Sequence, residues 1–281
     1  MKLGGMITNK QREDLLQKIQ SFRYIDDFFF SVSLDGFKPG VELILRTVLD
    51  DNRIIVDEIY TQIDVINWYG RSVRFDVFAS ADGKKFNCEI QRDNSGAIPL
   101  RARYNSSLLD AREVQKGTDY NALPESIVIM ICEHDAFNMK LPLYHIQRTI
   151  KESGLPFDDK SSIIYVNGQI QDETPIGRLM HDFFCRDAKD MHYKVLADRM
   201  RFFKEDKGGV QSMCEVMDEL VKESVEKGKA EGKAEGKAEG KAEERLISVR
   251  NLMDSLGLTA KQAMDALKIP AAEQTKLAAS L

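Results

Sequence analysis

Two carboxylates on neighbouring apolar-rich segments, Asp76 in "RFDVFASADG" and Glu89 in "KKFNCEIQRD", have the residue types and the spacing to hold a divalent cation. A hard cation such as Mg2+ takes several oxygen ligands, and two strands joined by a tight hairpin can present one carboxylate each to the same ion. The Asp82-Gly83 pair between them suits a two-residue turn, because both positions tolerate positive φ. With the turn centred there, residues whose numbers total 165 face each other, and Asp76 and Glu89 satisfy this. Directly opposed acids repel, so the pair implies a cation or a proton between them. The ordinary alternative is two solvent-facing acids on an antiparallel hairpin. Against it, Glu89 is flanked by Cys88 and Ile90, and neither face of the segment is clearly polar.

The elements that must position these acids can be read from periodicity. "VELILRTVLD" (41–50) has a helical apolar face, follows Pro39-Gly40, and carries Glu42 near its start. Three strand-like pieces follow, "IVDEIYTQIDVIN", "SVRFDVFASA" and "KKFNCEIQR", with turn signals at Tyr69-Gly70 and Asp82-Gly83. A helix is expected from Pro99 to Lys116, stopped by Gly117. "SIVIMICEHD" is a continuous apolar run of the kind buried on both sheet faces. "LPLYHIQRTI" and "SSIIYVNG" extend or cover the sheet, and 175–225 is mostly helical, a lid or scaffold.

Beyond this, "GKAEGKAEGKAEGKAE" (228–243) repeats every four residues, so every Glu meets another Glu at i+4. Like charges at that spacing oppose a helix, and each interior glycine costs about 1 kcal/mol relative to alanine. The repeat therefore reads as a frayed linker or as a helix formed only against a partner. The final stretch has a Gly257 stop, a Thr259 cap and a Pro270 break, which predicts a small helical hairpin. The expected organisation is an N-terminal extension (1–24), an α/β core (25–172), a helical region packed on it (173–227), the repeat (228–243) and the hairpin (244–281).

Composition limits the function classes. A chain of 281 residues with net charge −5 does not advertise a nucleic-acid surface, so any DNA contact must come from a local patch. The best patch is Arg92, Arg101 and Arg103 with Tyr104, after the Glu89 segment and in the following helix, suited to clamping a phosphodiester backbone. Surface ion pairs with acids such as Asp110 and Glu113 are the ordinary alternative for any one of these arginines. The four cysteines have no CxxC spacing, which argues against structural zinc and a disulfide scaffold. His134, His145, His181 and His192 show no spacing of a metal site or triad and are assigned no role. No apolar run approaches the roughly 20 residues of a membrane span, and no signal-peptide pattern opens the chain, so a cytoplasmic protein is expected.

"RSVRFDVFASADGKKFNCEIQR", "RARYNSSLLDA", "KGTDYNALPESIVIMI", "YVNG", "LMHDFF" and the Gly-Lys-Ala-Glu tail together resemble the Rpn family of PD-(D/E)XK nuclease family transposases, the recombination-promoting nucleases. The resemblance covers the chain from about residue 25 to the repeat. It implies a restriction-endonuclease-like core of helix, three-strand meander, helix and strand, which is the order read from periodicity. It also implies Mg2+- or Mn2+-dependent cleavage of DNA linked to recombination, with Asp76 and Glu89 as metal ligands. By the same resemblance Glu42 is the candidate for a further helix acid. The superfamily's lysine, two places after the acid, is Gln91 here. An amide can hold a water but brings no positive charge. Two readings follow: a nuclease in which Gln91 positions the water, or a nuclease-fold protein of negligible activity that binds nucleic acid or assembles. The tail adds a possible homo-oligomer, one chain's lysine stripe facing another's glutamate stripe.

Overall fold

The computed structural model describes residues 9–67, 70–93, 95–114, 116–117 and 119–281. The first eight residues of the expected N-terminal extension, and Tyr69 of the expected Tyr69-Gly70 turn, lie outside them. The chain divides into two compact units, Met1–Cys214 and Glu215–Leu281.

The first unit runs α1 (Asn9–Ser21), α2 (Asp27–Leu34), α3 (Lys38–Leu49), β1 (Val56–Val65), β2 (Val73–Ala81), β3 (Lys84–Gln91), α4 (Pro99–Glu113), β4 (Ser126–Cys132), β5 (Leu143–Ile146), β6 (Ser161–Asn167), α5 (Pro175–Phe184) and α6 (Lys194–Glu205). The strands form one sheet in the order β1-β2-β3-β4-β6-β5. The first three are antiparallel neighbours, β4 lies parallel to β3 and to β6, and β5 closes the far edge antiparallel to β6.

Local chemistry accounts for this order. Asp82 (φ 51°) and Gly83 (φ 74°) both take positive φ, the backbone twist that lets a two-residue turn join twisted strands, so β2 and β3 pair as a hairpin. The step from β3 to its parallel neighbour β4 needs a crossover, and α4 supplies it, with Pro99 in its first turn where a missing N–H does no harm. Ala102, Leu108 and Leu109 of α4 pack on Phe78, Val128, Met130 and Cys132. All seven residues of β4 are buried, so both sheet faces are covered. Helices α2 and α3 pack against β1, and α2 also reaches β2 and β3. Behind them Tyr24, Phe29, Phe30, Phe183 and Phe203 form an aromatic network with centroid spacings of 5.1–6.2 Å.

A buried cation locks this helical layer. Lys204 of α6 is 5 % exposed, and its Nζ donates to the carbonyls of Gln20 (3.0 Å), Phe22 (2.6 Å) and Arg186 (2.5 Å). Gln20 Nε2 returns a bond to the Lys204 carbonyl at 2.7 Å. The end of α1 and the segment after α5 are thus fastened to α6 through charge-assisted bonds.

Helix α7 (Lys207–Leu256) runs through the whole repeat, where the sequence predicts a frayed or partner-dependent segment. The difference lies in nucleation: the flanks carry buried side chains, Met213 and Met217 before the repeat and Val249 after it, so the repeat only propagates a helix already begun on both sides. In the second unit, α7 ends at Gly257 (φ 62°). Thr259 and Gln262 then form a capping box for α8 (Ala260–Ala266), and Pro270 introduces α9 (Ala271–Ala278). Val249, Ala263, Met264 and Ile269 are its core. Among the described residues no helix is long and apolar enough to cross a membrane.

Replacing Lys204 with Met leaves one buried and two part-buried carbonyls without this donor, and a loss of about 2–4 kcal/mol is expected. A lowered urea midpoint followed by far-UV circular dichroism checks this, and an unchanged midpoint would show that the clamp contributes nothing.

Candidate active site

The β2–β3 ladder pairs Val77 with Cys88 and continues in that register to Ala81 with Lys84, as the turn dictates. Asp76 and Glu89 stand one step beyond its last pair. There the Ile90 N–H donates to Asp76 Oδ2 at 2.9 Å, a side chain taking the place of a strand carbonyl. On the other side, Thr61 faces Val77 and Ile63 faces Phe75, which puts Gln62 at the step opposite Asp76. Gln62 has φ 51°, uncommon for a non-glycine residue and a local break in the strand. Its Nε2 donates to Ser31 Oγ of α2 at 2.6 Å and lies 3.5 Å from Asp76 Oδ1. Strand, hairpin and helix therefore converge on one carboxylate.

Glu89 is buried without the hydrogen bonds that burial demands. Glu89 is 0 % exposed, and neither of its oxygens has a hydrogen-bond partner among the described residues. Its nearest cation is Arg101, with Nη2 3.7 Å from Oε2. Asp76 is 8 % exposed and has a third acid beside it, Asp27 at the start of α2, close enough to share a proton. Burial, then the charges of Glu89 and Asp27, push the Asp76 carboxyl far above the usual carboxylate range. Burial also raises Glu89, opposed first by the neighbouring Asn87 amide and then by the Arg101 charge. Buried polar atoms are nearly always paired, so an orphaned carboxylate with two acids nearby fits a divalent cation bound by oxygen ligands.

A cleft of about 850 Å3 opens onto Asp76. Asp27, Gln62 and Asp76 line it together with Arg71, Arg101, Arg103, Tyr104 and Asn105. Tyr104 ties this wall together, its hydroxyl donating to the Arg71 carbonyl at 2.5 Å and accepting from Asn67 Nδ2 at 3.0 Å. Arginines on a cleft that leads to buried acids suit a polyanion whose reacting group must approach a cation.

Residues 44–173 match the PD-(D/E)XK nuclease family transposases. No curated protein and no solved structure matches the chain. The mixed α/β fold with its six-stranded sheet is consistent with a PD-(D/E)XK nuclease fold, and the match supports a nuclease-type function. Nucleases of this type generally use divalent metals, in keeping with the acid cluster. The matched stretch holds Asp76, Glu89, Gln91 and the cleft arginines, whereas Asp27 precedes it.

Of the residues singled out in the sequence, Asp76 and Glu89 come together, and Arg101, Arg103 and Tyr104 line the cleft beside them. Gln91 follows Glu89 on β3 but is buried toward the succeeding turn: a Cβ on Gly96 would lie 2.2 Å from Gln91 Oε1. Glu42 does not reach the site. Its Oε1 accepts the Val56 N–H at 3.0 Å and its Oε2 pairs with Arg46 at 3.1 Å. Val56 faces Ala81, five residues along β2 from Asp76. The helix acid at the site is Asp27 instead, supplied by α2 and not by α3. Arg92 is likewise not part of the cleft lining. It bridges Asp26 (3.1 Å) and Glu133 (2.9 Å), bracing the start of α2 against the end of β4. Sequence reasoning missed Asp27, Gln62 and Arg71. An acid opening a helix is ordinary, and a glutamine inside a strand gives no sign of its backbone break.

Carboxyls whose folded pKa is raised stabilise the fold fully below their ordinary unfolded value, and that contribution is lost as pH rises through the folded pKa. With chelator present, the melting temperature is expected to fall between about pH 5 and pH 9 beyond what exposed groups cause. Mg2+ or Asp76→Asn should flatten that fall, and Asp76→Asn should raise the metal-free melting temperature at pH 8. A metal-free profile identical in wild type and variant would contradict the linkage.

Proposed function

We propose that this protein is a divalent-metal-dependent endonuclease that hydrolyses DNA phosphodiester bonds, in the setting of recombination or mobile-element activity that its family name suggests. The observation that carries the reading is the Glu89 carboxylate, buried without a hydrogen bond next to Asp76, which lines the arginine-rich cleft. Asp76, Glu89 and Asp27 would hold Mg2+ or Mn2+. When bound, such an ion polarises the scissile phosphate and lowers the pKa of a water molecule.

The protein's own groups divide the remaining tasks. Arg103 and Arg71 are exposed on the cleft, and among the described residues their side chains have no ion-pair partner, so they are available to phosphate oxygens. Gln91 takes the position of the superfamily lysine and offers hydrogen bonds without charge. Arg101, on α4 and 3.7 Å from Glu89, supplies the missing positive charge from a different element. That charge is fixed by the guanidinium at any working pH, unlike a lysine's.

One observation favours a second reading, a nuclease-fold protein that binds nucleic acid without cutting it: the Gln91 side chain packs toward Gly96 and not into the cleft lining. Plasmid cleavage in Mg2+ separates the two. The nuclease reading expects Asp76→Asn and Glu89→Gln each to lower the rate at least about 100-fold, and Asp27→Asn to lower it by a smaller factor. Arg103→Ala should weaken DNA binding with a shallower salt dependence. Cleavage that survives both Asp76→Asn and Glu89→Gln would overturn the assignment, and tight DNA binding by a wild-type protein that never cleaves would establish the second reading.

A further inference from the structure

The end of α5 gathers three side chains that the cleft does not use. His181 Nδ1 lies 3.3 Å from Asp182 Oδ1 and 3.6 Å from Cys185 Sγ. One ligand atom from each of the three lies within 4.8 Å of the others. Cys185 follows the last residue of α5, four positions after His181, and its thiol turns back to the His181 ring. Asp182 is fully buried and held in place by the His192 and Tyr193 N–H groups, which donate at 2.7 Å to Oδ1 and Oδ2. His181 and Cys185 are half-buried, so solvent reaches a carboxylate that the backbone has already oriented.

Hydrogen bonding satisfies this arrangement only through long contacts, Nδ1–H to Asp182 at 3.3 Å and the thiol to the Asp190 carbonyl at 3.8 Å. Nδ1 carries either a proton or a lone pair, so it can donate to Asp182 or accept from Cys185 but cannot do both. A thiol proton has the Asp190 carbonyl as its other acceptor, at a long 3.8 Å. Burial, then the negative charges of Asp182, Asp190 and Asp187, push the Cys185 thiol up to about 11. One cation set among the three atoms would replace these long contacts and offset the local negative field. Ordinary bond lengths to tetrahedral Zn2+ separate a sulfur and a nitrogen ligand by about 3.6 Å, and a nitrogen and an oxygen ligand by about 3.3 Å. The separations at His181 match both.

We propose that His181, Asp182 and Cys185 form a Zn2+ site at the end of α5, beside the segment leading into α6 that Asp182 already holds through the His192 and Tyr193 N–H groups. It differs in ligand chemistry from the acid cluster of the cleft: thiolate and imidazole select Zn2+, whereas carboxylates alone suit Mg2+ or Mn2+. A fourth position is left to solvent, and the His192 ring stands alongside, 4.7 Å from that of His181 between centroids. The site requires no nuclease activity, so its test is independent of the function proposed above.

Co2+ reports the site directly, because a thiolate–cobalt bond absorbs in the near ultraviolet and a carboxylate site does not. The metal-free full-length protein titrated with Co2+ should develop that band at one equivalent and lose it when Zn2+ is added. Cys185→Ser should abolish the band, and His181→Gln should weaken Zn2+ binding more than about 10-fold. Asp76→Asn with Glu89→Gln, and separately Cys214→Ser, should leave the band intact. Far-UV circular dichroism checks the fold of each variant, and if Cys185→Ser is misfolded, the His181→Gln titration decides. No band at one equivalent, a band that persists in Cys185→Ser, or unchanged Zn2+ affinity in His181→Gln would overturn the proposal.

Discussion

Removing a carboxylate from water without a partner is among the most costly things a fold can do, and the sheet does it at Glu89. Everything near that side chain reads as a response to the cost. Arg101 approaches from α4 without closing to hydrogen-bond distance, and Asp76 stays charged less readily than a surface acid. The Ile90 N–H is spent on the Asp76 side chain. The result is a site whose protons and cations exchange against folding free energy, so its occupancy and the fold's stability are one linked equilibrium.

The rest of the unit makes that cost bearable. Glu89 sits in the middle of the sheet, with β4 beside it buried along its whole length and α4 across one face, so the strand that carries the acid has no freedom to relax outward. On the helical side, Lys204 gathers carbonyls from three places and fixes the layer from which α2 projects Asp27. A charge is thus buried twice in this unit, once with every partner it needs and once with almost none. The first serves the fold, and the second is what leaves a site open for a ligand.

What could be read from the sequence follows from how local each determinant is. The Asp82-Gly83 turn fixes a register by itself, so the opposition of Asp76 and Glu89 needed no tertiary knowledge. The crossover helix and the buried strand after it were legible for the same reason. The third acid was not: Glu42 and Asp27 both stand near helix starts, and only the packing of α2 and α3 against different places on the sheet separates an acid that caps a strand N–H from one that joins the cluster. The role of Arg92 depended on Asp26 and Glu133, acids far apart in the chain. The repeat was judged on its own propensities, whereas its helix is inherited from its flanks. Cys185 has no second cysteine at CxxC spacing, and the contact with His181 four residues before it is not a pattern that cysteine spacing reveals.

The adjacency of Asp26 and Asp27 has a consequence for how this helix can vary. Asp26 is held by Arg23 at 3.1 Å and by Arg92 at 3.1 Å, while its neighbour is left to the cleft. Two identical side chains in a row thus receive opposite fates, decided only by which of them meets the arginines. A slip of α2 by a single residue would send Asp27 to the arginines and withdraw the acid from the cleft, and it would also bring Ser31 to the buried place of Phe30. Arg23 and Arg92 therefore act as a reading-frame mark for the helix: they count residues, and the count determines which aspartate is free.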